Sequence, residues 1–456
     1  MSVLQLIKDK IKQLKEGDGL TAKASRQVII SFALQSINIL IGFIYVPLLL
    51  NYLTQEKYGI WLTLTSIIGW FSFFDIGLGN GMRNKLTESN AKGEHLLGRK
   101  YVSTTYALLL VIFSAILLIF HLLNPFLNWN LILNTYSING KELYALTSIV
   151  FSFFIIRFVV QLIGVIYMAD LKPSVGNAIN AFSSIFSLTA ILLLKKFGAP
   201  GNLIALGTFI TMMPVLLFIL LSVFAFSTRY KHLRPGIKFI DFKLNSGLIS
   251  LGAKFFFLQI TAIILYSTSS FFISQFYGPK EVVVYNLIFK YFQMPIMVYS
   301  IILAPLWSSV TNAYVRNDFD WLKKTIKRLN IISFLFITGI IVMVICSNYI
   351  LSLWIGNTVH VPLRLTILMA MYAIMNIFLA PYSYFVNGTG KLKLTMLFSV
   401  VGILLYFLCI YIFGHHFTDS TGVIASILVP YVIFTFLQPF QTYKILSKKA
   451  KGIFLR

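Results

Sequence analysis

Three basic side chains stand inside long apolar stretches, and their chemistry asks for explanation first. Arg157 sits in Phe153-Phe154-Ile155-Ile156-Arg157-Phe158, Lys254 precedes Phe255-Phe256-Phe257, and Lys290 lies between Phe289 and Tyr291. A charge at the centre of a bilayer costs at least about 2.5–3.5 kcal/mol, so such a residue faces a partner or a polar path. For Arg157 two readings stand. One is an internal ion pair or carbonyl contact that fixes helix packing; the other is a cationic station for an anionic ligand. Lys254 is shallow enough to snorkel to an interface. Lys290 lies deeper, with Gln293 one turn further on the same face. The matching acid is Asp75, in Phe74-Asp75-Ile76-Gly77-Leu78-Gly79-Asn80-Gly81-Met82-Arg83. Two roles fit it: an ion pair with Arg83, or a site for a coupling proton. Three cations against one acid suit an anionic ligand better than a cationic one.

Other chemistries lack their residues. The chain has no phosphate loop, zinc spacing, catalytic triad or paired carboxylates, so neither an enzyme nor a cofactor is expected. A proton or sodium gradient is the energy source to consider. The two cysteines, Cys346 and Cys409, both fall in apolar blocks and form no disulfide framework. His415 and His416 with Asp419 read as a solvated loop rather than a metal site.

The elements that hold these residues follow from composition. Of 456 residues, 58% are hydrophobic and 11% charged, where a soluble protein carries about 25% charged. Apolar blocks of some 20 residues, the length of a membrane helix, recur throughout. They predict helices at roughly 28–53, 59–79, 101–124, 144–168, 174–194, 203–226, 248–276, 282–311, 329–354, 363–386, 395–413 and 422–444. The fold expected is all-α, a polytopic membrane protein of about twelve spans. No cleavable signal peptide is visible. Residues 1–26 form a basic segment in which Leu4, Ile7, Ile11 and Leu14 repeat at helical spacing. That segment is either an interfacial helix on anionic lipid or a frayed tail.

Net charge is +24. In a soluble protein that would suggest nucleic acid; here the charges sit in short loops and set topology. With the N-terminus cytoplasmic, 29 of the 38 Lys and Arg fall on the cytoplasmic side, 6 on the other and 3 inside helices. The bias places both termini in the cytoplasm and predicts contact with anionic lipids, not nucleic acid. The longest external segment, about 125–143, contains Asn128, Asn130, Asn134 and Asn139.

A weak repeat appears at an offset of 224. Leu34-Gln35 matches Leu258-Gln259, Glu56-Lys57 aligns with Lys280-Glu281, and Arg99-Lys100 aligns with Lys323-Lys324. It predicts two lobes of six helices in the same orientation, related by an axis along the membrane normal. The lobes would be 27–226 and 248–444, joined by a basic cytoplasmic linker at 227–247 and followed by a basic tail at 445–456. Gln35 and Gln259 then join Arg157, Lys254, Lys290 and Gln293 as candidates for a polar path.

The stretch Lys57-Tyr58-Gly59-Ile60-Trp61, followed by the glycine-rich run from Phe74 to Arg83, resembles the Wzx-type O-antigen and polysaccharide flippases. Their superfamily also holds multidrug exporters and the lipid II flippase. The resemblance covers the whole chain in length and span number, while the motif is specific only at family level. It implies export of an undecaprenyl-pyrophosphate-linked oligosaccharide across a bacterial inner membrane by a V-shaped bundle. It also implies a central cationic cavity lined largely by helices 1, 2, 7 and 8, and partners such as a polysaccharide polymerase and chain-length proteins. The alternatives are a small-molecule exporter of the same superfamily and a membrane-embedded polymerase or ligase. The first would be expected to carry cavity acids, and the second a sizeable external loop.

Overall fold

The computed structural model describes residues 20–71, 78–170, 172–198, 201–242, 268–303, 310, 313–314, 316–356, 358–389, 391 and 393–455. Every regular element among them is helical. Ten helices in this set are long and apolar enough to cross a membrane. Two more predicted spans are described in part: the second at α2 (Gln55–Gly69) and the seventh at α9 (Ser269–Tyr277). The fold is thus the all-α membrane architecture expected. Leu110, Val111, Leu118 and Leu122 on one long helix are exposed, the pattern of a surface made for lipid rather than water.

The chain forms two compact units. The first comprises Met1–Lys57, Ile68–Ile132 and Tyr136–Gln259. It holds α1 (Leu20–Tyr52), α3 (Leu78–Ala91), α4 (His95–Leu123), α5 (Gly140–Val160), α6 (Leu162–Ala169), α7 (Pro173–Phe197) and α8 (Leu203–Ser227). Within it α1 packs on α7, and α5 and α7 both pack on α8. The second comprises Tyr58–Ile67, Leu133–Thr135 and Ile260–Arg456. Besides part of α2 and all of α9, it holds α10 (Pro279–Leu303), α11 (Phe319–Ile345), α12 (Ser347–Ile355), α13 (Leu363–Thr389), α14 (Lys393–His416) and α15 (Thr421–Leu446). Here α13 packs on α10, α11 and α15, and α14 also packs on α15.

Connections meet others of like parity, as alternating spans require. In the first unit Lys57 donates to the Gly201 carbonyl at 2.9 Å. The other set in that unit meets through Thr87 on the Ala169 carbonyl, Arg229 on Asp170 and Lys100 on Asp241. In the second unit Arg364 pairs with Asp419 at 2.6 Å and Ser420 donates to Glu281. Gln441 there reaches the Lys391 carbonyl.

Several boundaries differ from the sequence expectation, each for a local reason. Residues 80–91, expected in a loop, continue helix α3, where Glu88 bridges Lys85 and Lys92 at i−3 and i+4. The ninth span begins at Phe319 rather than near 329, because Asp318 caps it by accepting from the Trp321 amide. The fourth divides at Gln161 into α5 and α6. Pro47, Pro214, Pro295, Pro381, Pro430 and Pro439 all lie inside helices. Pro305 and the basic segment through residue 19 lie outside the described residues.

Candidate functional site

Arg157 projects from α5, a helix started by Asn139, whose side chain accepts from the Lys141 amide. The guanidinium is half-buried and donates through one terminal nitrogen to Asn180 Oδ1 on α7, at 3.1 Å. One turn further along α7, the Ser184 hydroxyl has two acceptors for its one proton, the Asn180 carbonyl and Asn38 Oδ1 on α1, each at 3.0 Å. Tyr45, two turns beyond Asn38, donates to the Ser184 carbonyl at 3.3 Å. Three helices thus carry one polar file: Arg157, Asn180, Ser184, Asn38 and Tyr45. The i, i+4 spacing of Asn180 and Ser184 puts both on one face.

The file contains no acid. Among the described residues no carboxylate pairs with Arg157, and its Nε is buried without a hydrogen-bond partner. Of the two packing contacts considered for this residue, the described residues hold the carbonyl contact, made to the Asn180 side-chain amide, which orients the guanidinium without neutralising it. A planar cation with an open N–H matches phosphate or carboxylate oxygens.

The second unit has its own basic station. Lys290 is half-buried on α10, and Asn286, Lys290 and Gln293 follow i, i+4, i+7 spacing down one stripe of that helix. Asn286 donates to Ser270 on α9 at 3.2 Å. Beside Lys290, Phe289 stacks with Tyr285 and meets Tyr372 on α13, which meets Tyr431 on α15 at 5.2 Å between ring centres. Tyr431 donates to Asn376. Aromatic and amide groups therefore surround the lysine's helix. At the start of α11, Lys323 and Lys327, one turn apart, line a cavity of about 490 Å³ with Asn330 and Phe334.

Of the remaining candidates, Gln35 is exposed one turn before Asn38, so Asn38 makes the contact within the file. Arg83 is exposed on α3. Lys254, Gln259 and Asp75 lie outside the described residues. Among the described residues no group of three metal-ligating side chains occurs.

A further ionic cluster binds the segment after α8. Asp170 accepts from Lys172 (3.0 Å), Arg229 (2.9 Å) and the Tyr230 hydroxyl (2.8 Å). Burial works to raise its carboxyl. Hydrogen bonds from Lys172 and Tyr230, with the charges of Lys172 and Arg229, outweigh that and hold it below the usual carboxylate range. Arg99 donates to the Arg234 carbonyl and lies 3.8 Å over the Phe239 ring.

Comparison with known proteins agrees with this architecture. The family described as polysaccharide biosynthesis protein matches residues 24–311. A Yersinia pseudotuberculosis protein provisionally named an O-antigen export protein is 25% identical over 366 residues, covering 78% of this chain and 81% of its own. A Salmonella typhi protein provisionally named an O-antigen transporter is 23% identical, covering 89% and 92%. Among solved structures, an inward-facing multidrug resistance MATE family transporter of the MOP superfamily superimposes with a TM-score of 0.75 at 13% identity, covering 93% of this chain and 100% of its own. The lipid II flippase MurJ gives 0.64 at 16% identity, covering 94% and 89%.

Proposed function

Because the chain belongs to the polysaccharide biosynthesis protein family, whose relatives here carry transporter names and not enzyme names, we propose that it is a flippase for lipid-linked oligosaccharide. The cargo is an undecaprenyl-pyrophosphate-linked repeat unit, carried from the cytoplasmic to the outer leaflet of a bacterial inner membrane by alternating access. A sugar head group cannot cross hydrocarbon without leaving its hydrogen bonds unmet. The protein supplies a polar, cationic route while the lipid tail stays in the bilayer. Both termini are cytoplasmic in this reading, from the distribution of Lys and Arg.

One observation carries the proposal: the buried Nε of Arg157, unpaired within a file of amides and hydroxyls. A cation held in that way is the partner a pyrophosphate needs. Lys290, on a stripe with Asn286 and Gln293, supports the same reading from the second unit. Lys323 and Lys327, followed on α11 by exposed Ile331 and Phe334, suit an anionic lipid head group at the interface.

The test is export. Arg157→Ala and Lys290→Ala should each lower surface polysaccharide about tenfold or more at unchanged protein level, the scale of a lost hydrogen bond to a charged group. Arg157→Lys should recover only part, since an ammonium lacks the planar fork. Full export from both alanine variants would show that these charges serve packing alone.

A further inference from the structure

The segment between α4 and α5 contains five asparagines in sixteen residues, Asn124, Asn128, Asn130, Asn134 and Asn139. Four are spent on the fold. Buried Asn124 accepts from Trp129 Nε1 at 2.6 Å and donates to Ser148 at 2.7 Å, so the indole is fixed with its N–H turned inward. Asn130 donates to the Ile138 carbonyl, closing the loop. Asn134 donates to the Ser274 carbonyl. Asn139 caps α5. A connection of this length is seldom so fully tied down, and rigid loops of this kind commonly carry function.

What this bracing supports is a cavity of about 410 Å³ lined by Asn128, Trp129, Asn130, Gly140, Lys141 and Tyr144, among others. Small-molecule sites measure about 300–1,000 Å³. The cavity lies at the same end of the first unit as the start of α5, opposite the Asp170 cluster at the end of α6. In the topology proposed above, that end is external. Three of its lining side chains bring donors. Lys141 and Tyr144 stand one turn apart on α5, both exposed. Exposed Asn128 uses its Oδ1 on the Leu131 amide, which leaves its NH2 as a donor. An ammonium, a phenol and an amide N–H2 all donate, beside an aromatic face. That set matches a ligand with an apolar ring face, many acceptor oxygens and a negative charge.

We propose that this cavity is a binding site for an acidic saccharide, with Lys141 on the sugar carboxylate, Asn128 on a ring hydroxyl and Tyr144 against the ring face. The identification of a sugar as ligand rests on the export reading; the site itself rests on the cavity and its donors. It would hold the head group on the external side after transfer, where backward movement is otherwise free.

The test uses the full-length protein in lipid nanodiscs with galacturonate and galactose as probes, followed by saturation-transfer NMR. Galacturonate should give a signal at least fivefold above galactose. Lys141→Met and Tyr144→Leu should each reduce it at least fivefold, and Lys141→Arg should retain it, which separates lost charge from lost fold. Equal signals from the two sugars, or signals unchanged in Lys141→Met, overturn the site. Removal of the whole gene distinguishes the two readings. Surface polysaccharide that persists without the protein refutes export and leaves the galacturonate result standing on its own. Lost polysaccharide together with absent galacturonate binding refutes the site and leaves export intact.

Discussion

Gly59, at the beginning of α2, lies against the first residue of α10, and both belong to the second unit. A Cβ placed on Gly59 would lie 1.8 Å from the Pro279 carbonyl oxygen and 2.5 Å from its carbonyl carbon. Carbon and oxygen approach to about 3.3 Å at closest, so Gly59→Ala requires these backbones to part by roughly 1.5 Å. The obstructing atoms are main chain, and no rotamer change relieves them. Overpacking of this kind costs about 1–3 kcal/mol, which lowers the population of the touching state roughly 5- to 150-fold. If the moving lobes divide as 27–226 and 248–444 rather than as the two compact units, alternating access would join the ends of α2 and α10 in one state and part them in the other, and the variant should be trapped with them apart. Pro279 is buried, which gives the assay. A cysteine at Pro279, with Cys346 and Cys409 replaced, should react slowly with a membrane-impermeant maleimide, and Gly59→Ala should speed that reaction about tenfold while lowering export. Gly339→Ala is the control, since nothing lies within 4 Å of its added carbon; in a helix it should be neutral or stabilising by about 0.5–1 kcal/mol. Wild-type labelling and full export in Gly59→Ala would show that this contact is no part of the cycle.

Two further outcomes are expected. Reporter fusions after Lys100 and after Lys196 should report opposite sides of the membrane, the first cytoplasmic; the same side for both would refute the topology. Asp170→Asn should open the segment at 229–242 to trypsin roughly fivefold faster, about 1 kcal/mol for partly exposed pairs. Because the folded protein holds this carboxyl low, its contribution is full above the ordinary carboxylate value and fades as pH falls through the folded one. The difference between variant and wild type, followed by hydrogen exchange of the same segment as pH falls, should therefore persist through the ordinary carboxylate range and fade below it.

The fold was legible because apolar length and flanking charge speak directly to a bilayer. The helices at 174–194, 203–226 and 363–386 fall within a few residues of those observed. The charged segments were less legible. Residues 80–91 look like a loop by polarity, yet paired charges keep them helical, and Asp318 starts a helix well before its apolar part. Within the site, Arg157 stood out because a cation in a phenylalanine-rich run has no cheap explanation. Asn38, Asn180 and Ser184 did not, since amides and hydroxyls occur in most spans at small cost. The i, i+4 relation of Asn180 and Ser184 was the available signal. Gln35 missed the contact by one turn because α1 is apolar on most faces, and periodicity then gives no direction. Gly59 was visible as part of a family pattern, while the close backbone approach it permits is a matter of three dimensions.

The choice between an anionic and a cationic cargo turns on where acids sit. In the ten candidate spans the described acids are Glu142, Glu281 and Asp320, all in the first turn of a helix. Glu281 is engaged by Ser420. Arg157 and Lys290 lie deep in theirs. A cationic drug moving past these positions would meet like charge with no interior carboxylate among the described residues of the ten candidate spans to offset it, and the likeness to multidrug transporters extends to fold alone. An acid beside Arg157 would have stabilised the guanidinium at the expense of its charge. Asn180 instead fixes one edge of the group by an uncharged hydrogen bond, and arginine cannot discharge by losing a proton as a buried lysine can. The arrangement keeps a full positive charge oriented and half-buried with one donor unmet, which costs stability in the empty protein. An anionic group at that position would offset the cost, and the pyrophosphate-linked head group proposed above would bring that charge.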